Sequence, residues 1–303
     1  MMDGAYATQM ALALAGAVFA PFLQGLINRT KAVWGGRRGQ PLLQVYYDIV
    51  KLFRKGAVYS VTTTWVFRAG PVAGLAATLT ALLIVPVNGA GAPVSFEGDL
   101  ILFAYLLGFA RFATILAALD TGSAFAGMGA SREAFFSALA EIAFMMGLAS
   151  LAIQSHSLSL SGMLGGAVRL DWSSTALALA ALFTVTLAEN SRIPFDDPDT
   201  HLELTMIHEA MVLDNSGPDF GLIQTAHAVK LWLFAAIIAQ VANPFSALSP
   251  PAGAVWTFAM GAALCVIIGM VESTMARLRM VKVPQLLVGA WALSAISLIL
   301  LAR

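Results

Sequence analysis

Residues 222–243 read LIQTAHAVKLWLFAAIIAQVAN, and this stretch decides the fold class of the chain. A helix crosses the hydrocarbon core of a bilayer with about 20 mainly apolar residues, and this run contains one charged side chain, Lys230. The whole chain has the same character, since 59% of its residues are hydrophobic and only 11% are charged. Soluble domains carry about 25% charged residues. The sequence therefore predicts an integral membrane protein.

Seven further segments have the length and apolar composition of a membrane span. The eight predicted spans are 6–27, 70–87, 100–119, 133–154, 173–190, 222–243, 251–271 and 284–302. No repeat and no low-complexity linker divides them. The predicted fold is all-α, a polytopic bundle of eight transmembrane helices that forms a single membrane domain over residues 1–303.

Residues 41–56 form a separate element between the first two spans. Apolar residues recur there at helical spacing, at Leu42, Tyr46, Ile49, Val50 and Phe53. The segment is too short and too charged to span, so the pattern predicts an amphipathic helix on the cytoplasmic side. It lies either in the membrane interface or on the bundle as a surface helix, and both interpretations place it at the same level.

The positive charges predict the orientation. Thirteen of the seventeen Lys and Arg residues fall in or beside the first, third, fifth and seventh loops: Arg29, Lys31, Arg37, Arg38, Lys51, Arg54, Lys55, Arg68, Arg132, Arg192, Arg277, Arg279 and Lys282. Positive loops stay cytoplasmic. We therefore expect both termini on the non-cytoplasmic side of a bacterial or archaeal inner membrane.

Several ionisable residues fall inside the predicted spans, where an unpaired charge is expensive. They are Arg111, Glu141, His227 and Lys230, and Glu272 closes the seventh span. His227 and Lys230 are three residues apart and therefore share a helix face. Two interpretations remain open: a polar track for protons or water, and inert structural ion pairs. For Glu141 we expect a raised pKa or a basic partner such as Arg111 or Lys230.

The fifth loop is the densest polar stretch, and it is acidic on a side that is otherwise basic. Its candidate residues are Glu189, Arg192, Asp196, Asp197, Asp199, His201, Glu203, His208, Glu209 and Asp214. A helix capped by Asp199 or Thr200 and starting near His201 is expected, with His201 and His208 on one face. A zinc HExxH motif is missing, because Val212 occupies the place of the second histidine. Docking of a soluble partner together with proton handling is the favoured interpretation.

Cys265 is the chain's one cysteine. An iron–sulfur cluster typically needs four thiolates, so no cofactor is expected in this chain. If the protein belongs to a redox complex, its partner subunits must carry the electrons.

Two adjoining stretches resemble a known family. Residues 189–198, ENSRIPFDDP, are similar to the acidic loop of the H (ND1-type) subunit of respiratory complex I. Residues 200–214, THLELTMIHEAMVLD, resemble the version found in formate hydrogenlyase and related group 4 [NiFe]-hydrogenases. Residues 39–55 and 129–132 with Glu141 agree with the same family, so the likeness covers nearly the whole chain.

The resemblance implies a non-catalytic membrane subunit of an oxidoreductase complex. It would anchor the soluble electron-transfer arm and link it to proton or ion movement. Its implied partners are hydrogenase-like large and small subunits, carrying [4Fe-4S] clusters and in some relatives a NiFe centre, and antiporter-like membrane subunits. His201, which replaces a carboxylate, favours the hydrogenase branch. Two alternatives stay open: the quinone-chamber subunit of a complex I-type quinone oxidoreductase, and a stand-alone ion transporter.

Overall fold

A computed structural model describes residues 2–89, 91–165, 171–196, 206–243 and 249–302 of the chain. Eight helices in these ranges are long and apolar enough to cross a membrane, and no β-strand occurs in them. The predicted all-α, eight-span architecture is confirmed.

The helices are named in chain order. They are α1 (Met2–Trp34), α2 (Gln44–Phe53), α3 (Trp65–Leu82), α4 (Asp99–Asp120), α5 (Ala124–Ser155), α6 (Leu160–Met163), α7 (Trp172–Glu189), α8 (His208–Val212), α9 (Gly217–Val241), α10 (Pro250–Thr274) and α11 (Val283–Leu301). Eight of them span, and α2, α6 and α8 are short.

Every predicted span overlaps one long helix, but several bounds differ: α1 continues to Trp34 beyond the predicted end at 27, α5 begins at Ala124 before the predicted start at 133, and the second span is shifted. The sequence predicts it at 70–87, and the helix α3 runs from Trp65 to Leu82. The Thr64 side chain accepts a hydrogen bond from the amide of Val66 at 3.2 Å. That cap satisfies one of the free N–H groups of the first turn and starts the helix early.

The amphipathic helix predicted at 41–56 is present but shorter, at Gln44–Phe53. It packs on the bundle through the buried Val45 and through Tyr46, whose hydroxyl donates to the Val18 carbonyl of α1 at 2.5 Å. Val50 and Phe53 of the expected apolar stripe remain about half exposed. The helix therefore contacts the bundle with one side and presents an apolar surface with the other.

The odd-numbered loops contact one another at one end of the bundle. In the first loop the amide of Val58 donates to the Ser216 hydroxyl at 3.0 Å, and the amide of Thr64 donates to Asp120 at 2.6 Å. Farther along, the Leu278 amide donates to the Pro194 carbonyl at 3.0 Å. We call this end, formed by the first, third, fifth and seventh loops, the odd-loop face.

The even-numbered loops meet at the opposite end. The amide of Leu158 donates to Glu97 at 2.8 Å, and the amide of Ala92 donates to the Ser161 hydroxyl at 2.9 Å. This separation of odd and even loops is what eight consecutive crossings require.

The centre of the bundle is α9, which contacts α1, α2, α3, α7 and α10. Trp232 on this helix is fully buried. Its ring stacks on Phe258 at 4.7 Å and meets the edge of Phe19 at 5.5 Å. The same helix carries His227 and Lys230 within the two preceding turns, closer to the odd-loop face, so central packing fixes the position of both polar side chains.

Candidate functional site: a buried ionic cluster beneath the fifth loop

The fifth loop turns inward as soon as α7 ends. Ser191 adopts a left-handed backbone conformation with φ 49°, and the Arg192 amide closes the turn on the Leu187 carbonyl at 2.9 Å. Glu189, Arg192 and Asp196 are consequently 9%, 5% and 2% exposed. The first part of the loop is therefore an interior element with buried charges.

Glu189 is the centre of a four-residue ionic cluster. Its carboxylate is paired with Arg111 of α4 and with Lys230 of α9, the latter at 2.8 Å. Glu133 of α5 lies 3.7 Å from the Nε of Arg111. A buried carboxylate is tolerated only when its desolvation is offset by close cations and hydrogen bonds. We call Arg111, Glu133, Glu189 and Lys230 the Glu189 cluster.

A cavity of about 70 Å³ adjoins this cluster. His208 of α8 and His227 of α9 line it together with all four cluster residues. The two imidazole rings lie 5.3 Å apart, and His227 Nε2 is 3.1 Å from the Asn190 carbonyl. Most of its wall is apolar, but the charged side chains and imidazoles in the wall give water hydrogen-bonding partners, and the volume exceeds the roughly 10–15 Å³ that one water needs. The cavity thus places titratable rings, buried charges and space for water side by side.

A smaller cavity of about 20 Å³ continues from the same residues toward the loop. Glu133 and Glu189 line both cavities, and Asp196 lines only the smaller one. The polar residues therefore form a series that extends from α9 to the fifth loop.

Asp196 joins the fifth loop to the seventh. Its carboxylate contacts Arg277 at 2.6 Å and accepts hydrogen bonds from the backbone amides of Ile207 and His208 at 3.3 and 3.0 Å. The sequence-based expectation that Asp196 faces a soluble partner is not what its geometry favours, because its carboxylate is buried and satisfied within this chain.

A second buried group links α10 to α1. Glu272 lies 3.1 Å from Lys31 and 3.6 Å from Arg192. The partners Lys31, Glu133 and Arg277 are not among the sequence-predicted site residues. Glu133 could have been identified from the sequence, because it is a carboxylate at the first position of the predicted fourth span. Nothing in the sequence distinguishes Lys31 and Arg277 from the other Lys and Arg residues of the loops.

Glu141 differs from the other intramembrane residues. It lies on an exposed side of α5, and its suggested partners Arg111 and Lys230 both bind Glu189 instead. Among the described residues no cation lies within 4 Å of it, although its charge still acts on Arg111.

The remaining candidates divide by position. The structure brings Arg111, Glu189, His208, His227 and Lys230 to one cavity. Glu209 on α8 is half-buried, and Asp214 is exposed. Four predicted residues lie outside the described residues: Asp197, Asp199, His201 and Glu203. So does the helix start expected near His201, and the described helix there begins at His208. The described ranges contain no group of three His, Cys, Asp or Glu able to hold a metal ion.

Comparison with known proteins gives a family match over almost the whole chain. The protein-family model described as NADH dehydrogenase matches residues 7–302. Formate hydrogenlyase subunit 4 of Escherichia coli is 32% identical over 289 residues, which cover 90% of each chain. Hydrogenase-4 component C of the same organism is 31% identical over 75% of this chain and 72% of its own length. The H-type subunit of the NADH-quinone oxidoreductase of Rubrobacter xylanophilus is 28% identical over 67% of this chain and 61% of its own.

A solved structure has the same fold. A chain in the membrane-bound sulfane sulfur reductase, an archaeal respiratory membrane complex, superposes with a TM-score of 0.83. The match covers 98% of this chain and 99% of that one at 20% sequence identity. The similar proteins are thus subunits of multi-subunit membrane complexes.

Proposed function

The chain belongs to the NADH dehydrogenase family of membrane subunits, and from this premise we propose that it is the membrane anchor and energy-coupling subunit of a membrane-bound, formate hydrogenlyase-like hydrogenase complex. In this role it docks the soluble electron-transfer arm at the odd-loop face. It links electron transfer in that arm to proton or ion movement in neighbouring membrane subunits. Two relatives that are more than 30% identical to this chain are named as hydrogenase or hydrogenlyase components.

The observation that carries the proposal is the Glu189 cluster beneath the fifth loop. A carboxylate at the end of a span, held between Arg111 and Lys230 and adjoining a cavity lined by two histidines, responds to any change in the charge of the loop above it. A buried ion pair is not needed for stability alone, since well-packed apolar residues of similar volume often stabilise a protein as much. Such a cluster is suited to coupling, because moving one charge changes the energy of the others.

The orientation follows from the charges. We place the odd-loop face, which carries most of the Lys and Arg residues, in the cytoplasm and both termini on the other side. The soluble partner subunits then meet the fifth loop near Glu203, Glu209 and Asp214. Their [4Fe-4S] clusters, with a NiFe centre in a hydrogenase-type partner, supply the redox chemistry.

The second candidate is the quinone-chamber subunit of a complex I-type oxidoreductase. One observation favours it: an apolar groove of about 650 Å³ on the outer side of α1, α2 and α10, lined by Val18, Phe22, Tyr46 and Phe258 among others. An isoprenoid chain fits such a groove chemically. A quinone that co-purifies with the intact complex and is reduced by it would favour this function over the first.

The test is to purify the intact complex from its native membrane and identify the subunits. Hydrogenase-like large and small subunits with antiporter-like membrane subunits are expected. A photo-cross-linking amino acid at position 203 should then join this chain to a soluble subunit, whereas one at the exposed Glu97, in an even-numbered loop, should not. The proposal is contradicted if the chain purifies alone and transports ions by itself. It is also contradicted if a water-soluble reagent labels position 203 freely in the complex and no cross-link forms there.

A further inference from the structure

A cationic cleft lies at the end of α1, away from the Glu189 cluster. It has a volume of about 520 Å³ and lies between the last two turns of α1 and the returning segment 35–40, with Ser273 of α10 at one side. Its lining includes Lys31, Arg37 and Arg38 and no carboxylate. The chemistry of the lining therefore selects an anion.

The cleft has a defined backbone shape. Gly36 adopts φ +63°, a conformation that favours glycine, and this residue reverses the chain at the helix end. The Arg37 amide then donates to the Ala32 carbonyl at 2.8 Å, and the Arg29 guanidinium donates to the Gly39 carbonyl at 3.4 Å. The last carbonyls of a helix repel anions, and these bonds occupy several of the carbonyls around the cleft.

Two of the three cations are available to a ligand. Lys31 is partly neutralised by Glu272 at 3.1 Å. Arg37 and Arg38 are exposed, and within the described part of the chain no carboxylate lies within 4 Å of either guanidinium. Guanidinium groups bind phosphate oxygens through paired N–H donors, so a phosphate ester suits this pair.

The depth of the cleft in the membrane indicates that the phosphate belongs to a lipid. The span that ends at Trp34 is 29 residues long, which is roughly 43 Å at 1.5 Å per residue. A bilayer is about 40–45 Å thick with its headgroups, so the end of α1 reaches the headgroup layer. Val33 and Trp34 are 64% and 57% exposed beside the cleft, and tryptophan is enriched at this level of membrane proteins.

We propose that the cleft between the end of α1 and residues 35–40 is a specific binding site for the phosphate headgroup of an anionic phospholipid. Arg37 and Arg38 hold the phosphate, and Trp34 packs at the boundary between headgroup and acyl chains. This site shares none of the residues of the Glu189 cluster, and it lies on the same odd-loop face at which we propose that the soluble arm docks.

The test uses the purified full-length chain in detergent, titrated with phosphatidylglycerol or with phosphatidylcholine and followed by native mass spectrometry. The variant Arg37→Gln/Arg38→Gln is compared with Lys51→Gln/Arg54→Gln, which removes two exposed charges from the same loop outside the cleft. We expect one saturable phosphatidylglycerol site that weakens about 30-fold in the first variant, at about 1 kcal/mol for each basic residue, and stays saturable in the second. Arg37→Lys/Arg38→Lys should recover part of the binding, because lysine restores the charge without the paired donors, and this partial recovery separates lost charge from misfolding.

Three results would overturn the proposal. Equal weakening in both double variants would mean general attraction to an anionic surface. If millimolar inorganic phosphate displaced bound phosphatidylglycerol as strongly as added lipid does, the cleft would be a site for free phosphate. If the Arg37→Gln/Arg38→Gln variant bound lipid as before but its complex lost a soluble subunit, the cleft would be a protein-docking surface.

Discussion

At the scale of single residues, the buried carboxylates differ in what they hold together. Glu189 joins three transmembrane helices, whereas Asp196 joins the fifth loop to the seventh and to the start of α8. The first residue is therefore placed for coupling, and the second for the folding of the loop.

Asp196→Asn should destabilise the protein strongly. The change removes the charge that neutralises Arg277 in a site where Asp196 is 2% exposed, and breaking one side of a buried pair costs about 3–5 kcal/mol. Thermal unfolding in detergent measures the loss. The exposed Asp214→Asn is the matched control and should stay within about 0.5 kcal/mol of the unmodified protein. Equal stability of the two variants would show that the Asp196–Arg277 pair is not structural.

Glu141→Gln should leave assembly intact and impair coupling. Glu141 lies on an exposed side of α5 with no described ion-pair partner, so the amide breaks no ion pair within the described part of the chain, yet it removes a charge that acts on Arg111. We expect normal subunit composition and electron transfer, with proton movement per turnover reduced severalfold. The control is Glu97→Gln, which removes an exposed carboxylate from the end of the bundle that the even-numbered loops form. Unchanged proton movement in the Glu141 variant would make the residue structural.

At the scale of elements, the contact between α5 and α8 fixes the second half of the fifth loop. Gly129 of α5 lies so close to α8 that an added Cβ would be 2.8 Å from Ala210 Cβ and 2.9 Å from the Ile207 carbonyl. This approach places His208 opposite His227. The cavity lined by the two imidazoles therefore depends on a glycine that contributes no functional group of its own.

Gly129→Ala should displace α8 and loosen the loop. Overpacking of this kind costs about 1–3 kcal/mol, and limited proteolysis of the fifth loop together with the melting temperature reports it. Gly127→Ala on the same helix is the control, because its nearest neighbour would be Leu119 Cδ2 at 4.0 Å. That variant should be neutral or slightly stabilised, since alanine favours the helix by up to about 1 kcal/mol. Loss of stability in both variants alike would point to a general intolerance of α5.

At the scale of the whole molecule, the grouping of the loops makes the orientation testable. Val61 is fully exposed at the odd-loop face, and Phe96 is 46% exposed at the other end. A membrane-impermeant maleimide on intact cells should label Phe96→Cys but label Val61→Cys only after the membrane is opened. The natural Cys265 is buried and should give a low background. The reverse pattern would invert the proposed topology.

The sequence by itself determined the class of the fold and most of its topology. Eight apolar runs and their loops follow from local hydropathy, because the bilayer imposes a length and a polarity on each span separately. The family could also be recognised from one contiguous loop, since its motif is local. For the same reason the sequence singled out Glu189, His227 and Lys230 as polar residues at or within the spans, and His208 as a residue of the fifth loop.

Only the tertiary structure decided which charges meet. Arg111 and Lys230 were open partners for Glu141, and they bind Glu189 instead because helix packing brings α4, α7 and α9 together at that depth. Lys31 and Arg277 looked like ordinary cytoplasmic charges until the folded chain placed them against Glu272 and Asp196. Ion pairing depends on distances of a few ångströms between residues that lie far apart in the chain, and neither composition nor helical spacing carries that information.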